Sequence, residues 1–348
     1  MEFALSEDQR MLQDSISGFL KDNASLDTIR KIADGDAEAK ATLAAGLSEM
    51  GIMGLHVPEA AGGSGLGLLE ACLVQEALGY AVTPSGFLAA TVAAHVLPNA
   101  GEAYAEGVAT GDMVFGLSLT ELSSRRDLAG LTLKDGHVSG KTLLAMVPDR
   151  ATHVLTADTD GGLHVVDTWS ATAMRTIDRT RTFQELGFDH AKCEASMAQA
   201  DGALEAARLL IAADTLGAAQ AMLDKAVEYA KERKQFGRVI GSFQAVKHLC
   251  AEMTAKLEPA RALVWHAAYA MDTGDPEAAV MANLAKAHLA EVGTFVAKTS
   301  TEVHGGMGFT DLLGLHYWFK RIGVNRQLFG SPEQARHSAA ELQGFVAA

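Results

Sequence analysis

The hydrophobic pattern of this chain changes period twice, and few folds accommodate that. Up to about Gly111 the apolar residues recur at helical spacing, beginning with Met11, Leu12, Ile16, Phe19 and Leu20. Ser6 and Gln9 form a capping box ahead of them, with Phe3 and Leu5 just before it. A second amphipathic stretch, 41–51, ends at glycine. VPEAAGGSGLG (57–67) reads as a loop, LLEACLVQEALGYA as a long buried helix and PSGFLAATVAAHVLPNAG as another. Beyond Gly111 come short β-rich runs separated by turn signals at Asp135-Gly136 and Asp160-Gly161. From about Gly202 the helical pattern returns over 204–234, 243–272, 276–303 and 332–346. The predicted fold is mainly α with a β middle domain. It comprises an N-terminal helical domain (1–111), a small antiparallel β barrel or sandwich (112–201) and a C-terminal four-helix bundle (202–348).

Composition excludes several classes. A length of 348 residues calls for more than one core, and 48% hydrophobic with 21% charged residues is a globular mixture. A net charge of −14 leaves no basic surplus for phosphates, so no nucleic-acid partner is expected. No apolar run reads as long enough, and free enough of charge, to span a bilayer, and no apolar signal region is visible in MEFALSEDQRM. Cys72, Cys193 and Cys250 are odd in number and form no CxxC pair. Neither a disulfide framework nor a zinc site is expected, and a reducing, cytoplasmic setting is. GGSGLG (62–67) is not a dinucleotide loop, because Leu68 stands where the third glycine belongs and no β run precedes it.

ERKQFGRVIGSFQAVKHLCAEM (232–253) is unusual for a core helix. The helix before it ends on Lys231, Arg233 and Lys234, which suits a helix C-terminus. Ser242 reads as the N-cap of the next helix, leaving amide donors near Phe243 and Gln244. An arginine facing such amides is a workable diphosphate site. Phe236 either lies against an adenine or packs in the core. Farther on, TEVHGGMGFTD (301–311) places Gly305 and Gly306 where backbone comes close to something or turns tightly. His304 alone reads as a satisfied structural histidine.

Arg-Lys-Gln-Phe-Gly-(x)3-Gly-Ser-Phe-Gln, followed by His-Gly-Gly-Met-Gly-Phe-Thr, resembles the acyl-CoA dehydrogenases. FALSEDQRML is similar to that family's opening helix, and LSEMGIMGLHVPEAAGGSGLGLLEACLVQEALG to its second signature. LSLTE (117–121) stands where the flavin-binding strand begins. The resemblance covers nearly the whole chain. It implies a tetrameric flavoprotein that dehydrogenates an acyl-CoA thioester at its α,β carbons and passes electrons to an electron-transfer flavoprotein or similar acceptor. It further implies FAD gripped at its ADP end by a neighbouring subunit, here through Arg233, Gln235, Phe236, Phe243, Gln244, Glu302, Gly305 and Gly306.

The departures from that family are specific. Its glycine-rich Thr-Glu-Pro-Gly-Ala-Gly-Ser-Asp loop is here Thr120-Glu121-Leu122-Ser123-Ser124-Arg125-Arg126-Asp127. Its Trp-Ile-Thr strand is Leu144, Ala145 and Met146, without the stacking ring or the hydroxyl. Its catalytic glutamate falls at Phe329, and the alternative glutamate position, before Arg208, is Ala207. Neither side chain can take a proton. Glu205 and Arg208 match acyl-CoA-contacting positions, and Glu302 replaces a usual glutamine. The chain resembles the short, base-lacking subunits of heterotetrameric acyl-CoA dehydrogenases acting on steroid side chains, whose partner is a longer family member. Two alternatives stay open: a self-sufficient homo-oligomer using Glu205, Glu302 or Glu333 as base, and a flavin-free binding protein.

Overall fold

The computed structural model describes residues 4–99, 101–123, 126–199 and 202–346. Phe3, Ser124 and Arg125, which entered the sequence reading, lie outside them.

Helix α1 (Glu7–Asn23) starts at the expected capping box: Ser6 Oγ accepts from the Gln9 amide at 3.1 Å, and Gln9 Oε1 accepts from the Ser6 amide at 2.9 Å. Two short helices, α2 (Leu26–Ala33) and α3 (Ala37–Glu49), follow. The helix expected from 41 begins earlier because Asp36 accepts from the Ala39 amide and caps it. Buried α4 (Leu68–Tyr80) and α5 (Phe87–Val96) match the two apolar stretches, and α6 (Glu102–Thr110) closes the first helical part. The amides of Leu68 and Leu69, at the start of α4, donate to Asp272 at 2.7 and 3.1 Å.

The middle of the chain forms two four-stranded sheets. After β1 (Phe115–Ser118) comes one helical turn, α7 (Thr120–Ser123). Then follow β2 (Gly130–Lys134), β3 (His137–Ala145), β4 (His153–Ala157), β5 (Leu163–Val166), β6 (Ser170–Met174), β7 (Phe183–Lys192) and β8 (Ala195–Met197). The sheet orders are β1-β4-β5-β8 and β2-β3-β7-β6. Asp135 and Gly136 turn the β2–β3 hairpin with φ of 51° and 73°, the backbone an Asp-Gly pair tolerates. One pairing departs from the antiparallel expectation: β1 runs parallel to β4, from Phe115 opposite His153 to Ser118 opposite Thr156. The β2–β3 hairpin leaves for the other sheet before the chain returns, so β1 and β4 are joined by a crossover rather than a tight turn. Leu131, Val138, Val154, Val166, Leu186 and Phe188 form a separate small apolar core of this region.

The last part holds α8 (Ala203–Glu232), a two-residue ladder of β9 (Lys234–Gln235) with β10 (Arg238–Val239), then α9 (Gln244–Asp272), α10 (Ala278–His304), α11 (Leu315–Asn325) and α12 (Pro332–Leu342). Contrary to the sequence reading, α8 is long and apolar enough to cross a bilayer. It is instead the central helix, with 94% of its apolar window buried. It meets α4 backbone to backbone: a Cβ on Gly217 would lie 1.8 Å from the Glu76 carbonyl oxygen, and one on Gly79 would lie 2.1 Å from that of Asp214. One apolar core joins the first helical part to these helices.

Candidate functional site

Two regions gather the residues singled out by sequence. The first is the end where α8 and α10 finish and α9 begins. Arg233 ends α8 in extended backbone, its amide donating to Tyr229 O at 2.8 Å. The chain then turns through Phe236 and Gly237, with φ of 52° and 77°. A positive φ is costly for phenylalanine, and no packing compensates for it, since Phe236 is 91% exposed. It is therefore not a core residue of this chain. Its ring meets Phe243 edge-on at 6.1 Å, and the Arg238 guanidinium lies 4.0 Å over the Phe243 ring.

Ser242 is not the N-cap of α9. Residues 240–242 wind into a 3-10 turn, and Ser242 Oγ donates to Val239 O at 2.7 Å. Phe243 takes the N-cap position and has no capping oxygen, so the first amides of α9 are left more open than expected. Arg233, Gln235 and Gln244 are exposed around them.

The second motif reaches the same end. The Tyr229 and His304 rings lie 4.6 Å apart, and His304 Nδ1 donates to Ser300 O at 2.7 Å, so His304 is the satisfied histidine the sequence suggested. Gly305 (φ 57°, ψ −139°) stops α10 in backbone that suits glycine. A Cβ at Gly305 or Gly306 would meet nothing within 4 Å. Among the described residues nothing crowds them, and their backbone is open to an approach from outside. Glu302 is exposed one turn before.

The second region lies at the start of α8. Ala207 and Arg208 are 0% and 2% exposed, and Phe329 is 1% exposed. Arg208 Nε donates to Phe329 O at 2.8 Å, and Nη1 donates to Asn283 Oδ1. Phe329 has φ of 56° and Gly330 of 104°. A Cβ on Gly330 would come within 3.1 Å of Arg208 Nη2 and 3.2 Å of Ser123 Cβ. Both positions where the resemblance seeks a base are thus brought to one place, with the turn after β1 beside them. Burial pushes the Arg208 pKa down, and the half-buried Glu205 opposes that. Among the described residues, no carboxylate is hydrogen-bonded to Arg208. Glu333 is exposed and paired with Arg326 at 3.2 Å.

Sequence reasoning missed two residues here. Asn283 and Lys286 are buried polar residues three apart on α10. Lys286 Nζ donates to the carbonyls of Asn325 and Arg326 at 2.6 and 3.2 Å. Burial, followed by the charges of Arg208 and Arg326, lowers its pKa to about 7. With Arg208 it holds the 325–330 turn by three carbonyls. An asparagine and a lysine one turn apart inside an otherwise apolar helical face were the available signal.

On the β side, Glu121 folds onto β3: it accepts from the Leu143 amide at 2.9 Å and from the Thr142 hydroxyl. Leu144 (φ 57°) is half-buried and Ala145 is buried. Met146 is tied to Leu117 by two backbone bonds of 2.9 Å. Thr120 Oγ1 is buried and, among the described residues, has no hydrogen-bond partner.

Residues 6–106 match the acyl-CoA dehydrogenase N-terminal domain, and residues 197–342 the acyl-CoA dehydrogenase C-terminal domain. The chain is 30% identical to the acyl-CoA dehydrogenase IpdE2 of Mycolicibacterium smegmatis, over 97% of this chain and 100% of that protein. It is 31% identical to IpdE2 of Mycobacterium tuberculosis, over 94% and 95%. It also superposes on the structure of the Tcur3481-Tcur3483 steroid ACAD, G363A variant, with a TM-score of 0.88 at 28% identity, covering 97% of this chain and 98% of that one. Motif order, helix–sheet–helix architecture and full-length similarity agree: the chain belongs to the acyl-CoA dehydrogenase family, whose members are FAD-dependent oxidoreductases.

Proposed function

We propose that this chain is the base-lacking subunit of a hetero-oligomeric acyl-CoA dehydrogenase, and that it holds the ADP end of FAD across a subunit interface. The observation that carries the reading is the apolar burial of Ala207 and Phe329, 0% and 1% exposed, at both positions where the family keeps its glutamate.

The residues fit FAD unequally. The uncapped start of α9, with exposed Arg233 beside it and the open backbone of Gly305 and Gly306, suits a diphosphate. The exposed ring of Phe236 suits an adenine face, and Gln235, Phe243 and Gln244 border it. The unpartnered buried hydroxyl of Thr120 could meet a flavin edge, but Leu144, Ala145 and Met146 offer neither ring nor hydroxyl. When bound, FAD would supply the acceptor for a hydride leaving the acyl β-carbon. In this chain Arg233 would neutralise the diphosphate, Arg208 and Lys286 would hold the 325–330 turn, and buried Phe329 would keep water out. Glu205 and Arg208 remain the candidates for acyl-CoA contact.

The α-proton then needs a glutamate from a longer family member, which would also supply the flavin-covering strand. The two-component name of the steroid ACAD supports such a pairing, and a steroid side chain or related lipid acyl-CoA is the substrate class proposed. An electron-transfer flavoprotein or similar acceptor, a cytoplasmic setting and the three-part division at 111/112 and 201/202 belong to the same reading. One observation favours the self-sufficient alternative: half-buried Glu205 acts electrostatically on Arg208, so a carboxylate does stand near the empty base position.

The test is to purify the chain alone and together with a longer acyl-CoA dehydrogenase that carries the glutamate, sought first among the genes adjoining its own. Alone, it should be nearly colourless and inert, and the pair should be yellow and should bleach on adding an acyl-CoA. Bleaching by the isolated chain overturns the proposal in favour of Glu205. A colourless pair points to a flavin-free binding protein.

A further inference from the structure

Outside the residues assigned to the FAD grip, Asp158, His164 and Ser196 form a hydrogen-bonded line on the sheet that contains β5 and β8. His164 and Ser196 are cross-strand partners, so their side chains leave the same face of the sheet. His164 Nε2 lies 2.9 Å from Asp158 Oδ2, and Nδ1 lies 3.0 Å from Ser196 Oγ. Asp158 follows β4, and its Oδ1 accepts the amides of Asp160 at 2.9 Å and Gly162 at 2.8 Å. Burial alone would raise the Asp158 carboxyl. The bonds from His164, Gly162 and Asp160 outweigh it and hold the carboxyl below its ordinary range.

These contacts assign the proton positions. An ionised carboxylate only accepts, so Nε2 of His164 carries the hydrogen. In the neutral imidazole Nδ1 is then the lone pair, and the Ser196 hydroxyl donates to it. His164 and Asp158 are 1% and 6% exposed, whereas Ser196 faces solvent. A buried acid, a buried and oriented imidazole and an accessible hydroxyl are the parts by which a serine is activated, here with the acid on Nε2 and the hydroxyl on Nδ1, the reverse of the usual assignment of the two ring nitrogens.

We propose that Ser196 is a nucleophilic site that takes an acyl group from a thioester. Ser196 Oγ attacks the carbonyl carbon while His164 Nδ1 takes the hydroxyl proton. The C–S bond breaks, the sulfur leaves with that proton as a free thiol, and the acyl group stays as an ester on Oγ. Water then attacks the ester with Nδ1 again as base, which releases the acid and restores the hydroxyl. No electrons are exchanged, and Asp158 keeps its charge throughout. Cys193 stands close by, but burial raises its thiol against the opposing contact with Ser196, so it is a protonated neighbour rather than a competing thiolate.

The full chain is treated with S-phenyl thioacetate, reading thiophenol release, and separately with a fluorophosphonate, reading a stable adduct by peptide mass mapping. The expected result is a fluorophosphonate adduct on Ser196 and thiophenol release on the order of 10²-fold above Ser196→Ala, in which the His164 base has no hydroxyl left to activate. Asp158→Asn, which keeps the shape of the acid, should lower both. No adduct on Ser196, an adduct on Cys193 instead, or release by Ser196→Ala equal to that of the unaltered chain would each reduce the line to a structural staple between β5 and β8.

Discussion

The ring of Tyr229, in the last turn of α8, lies 4.6 Å from that of His304, at the end of α10. Through this contact two motifs some seventy residues apart in sequence become one surface, with Arg233 leaving α8 four residues after Tyr229.

Arg233→Ala should therefore weaken FAD retention in the assembled enzyme. A charge-assisted contact to a diphosphate contributes about 1.5–3 kcal/mol, roughly ten- to a hundredfold in the dissociation constant. Flavin absorbance per chain after dialysis is the readout, and an unchanged ratio would take Arg233 out of the site.

Asp214→Asn should destabilise the fold strongly. Asp214 receives Arg321 through two bonds, 2.9 Å to Oδ1 and 2.6 Å to Oδ2, with both residues buried. Burial pulls its carboxyl up, but Arg321, Arg181 and Asn325 outweigh that and bring the pKa to about 2. Removing the charge leaves Arg321 with only the more distant influence of Asp178, already paired with Arg181, at a cost of about 3–5 kcal/mol. Urea unfolding would measure it, and a loss under 1 kcal/mol would mean that water or another acceptor replaces Asp214.

His95 should make stability fall with acidification. Burial, then the charge of His56, lowers its pKa from 6.5 to about 4. Between those values the unfolded chain binds the proton and the folded chain does not, so stability drops as pH falls through that window. The loss reaches at most about 3 kcal/mol. Urea midpoints for His95→Gln should show a shallower slope than the unaltered chain between pH 6.5 and 4, and parallel slopes would assign the loss to other groups.

Gly217→Ala should separate α4 from α8. The new methyl would sit 1.8 Å from the Glu76 carbonyl oxygen, which is backbone and cannot swing away. Overpacking of this kind costs typically about 1–3 kcal/mol. A thermal midpoint equal to that of the unaltered chain would show that the helices slide apart freely.

The sequence by itself determined what closes over a few residues. Ser6 and Gln9 cap α1 because their partners are three positions away, Asp135-Gly136 turns a hairpin, and the apolar periods place α8, α9 and α10 to within two residues. The family resemblance likewise grouped Arg233, Phe236, Gly305 and Gly306 as one expected grip on FAD. Ser242 shows where local reading stops: it has a capping residue's chemistry, but the Ile240 amide donates to Arg233 O at 2.7 Å and winds 240–242 into a turn that removes it. Tertiary structure alone decided the parallel β1–β4 pairing, the capping of α4 by Asp272, and the meeting of Arg208 with Phe329 O. Each joins segments far apart in sequence, whose partners are chosen by packing rather than by residue type. For the same reason α8, apolar enough for a bilayer, is a core helix: which surface covers an apolar face depends on the other helices folding around it.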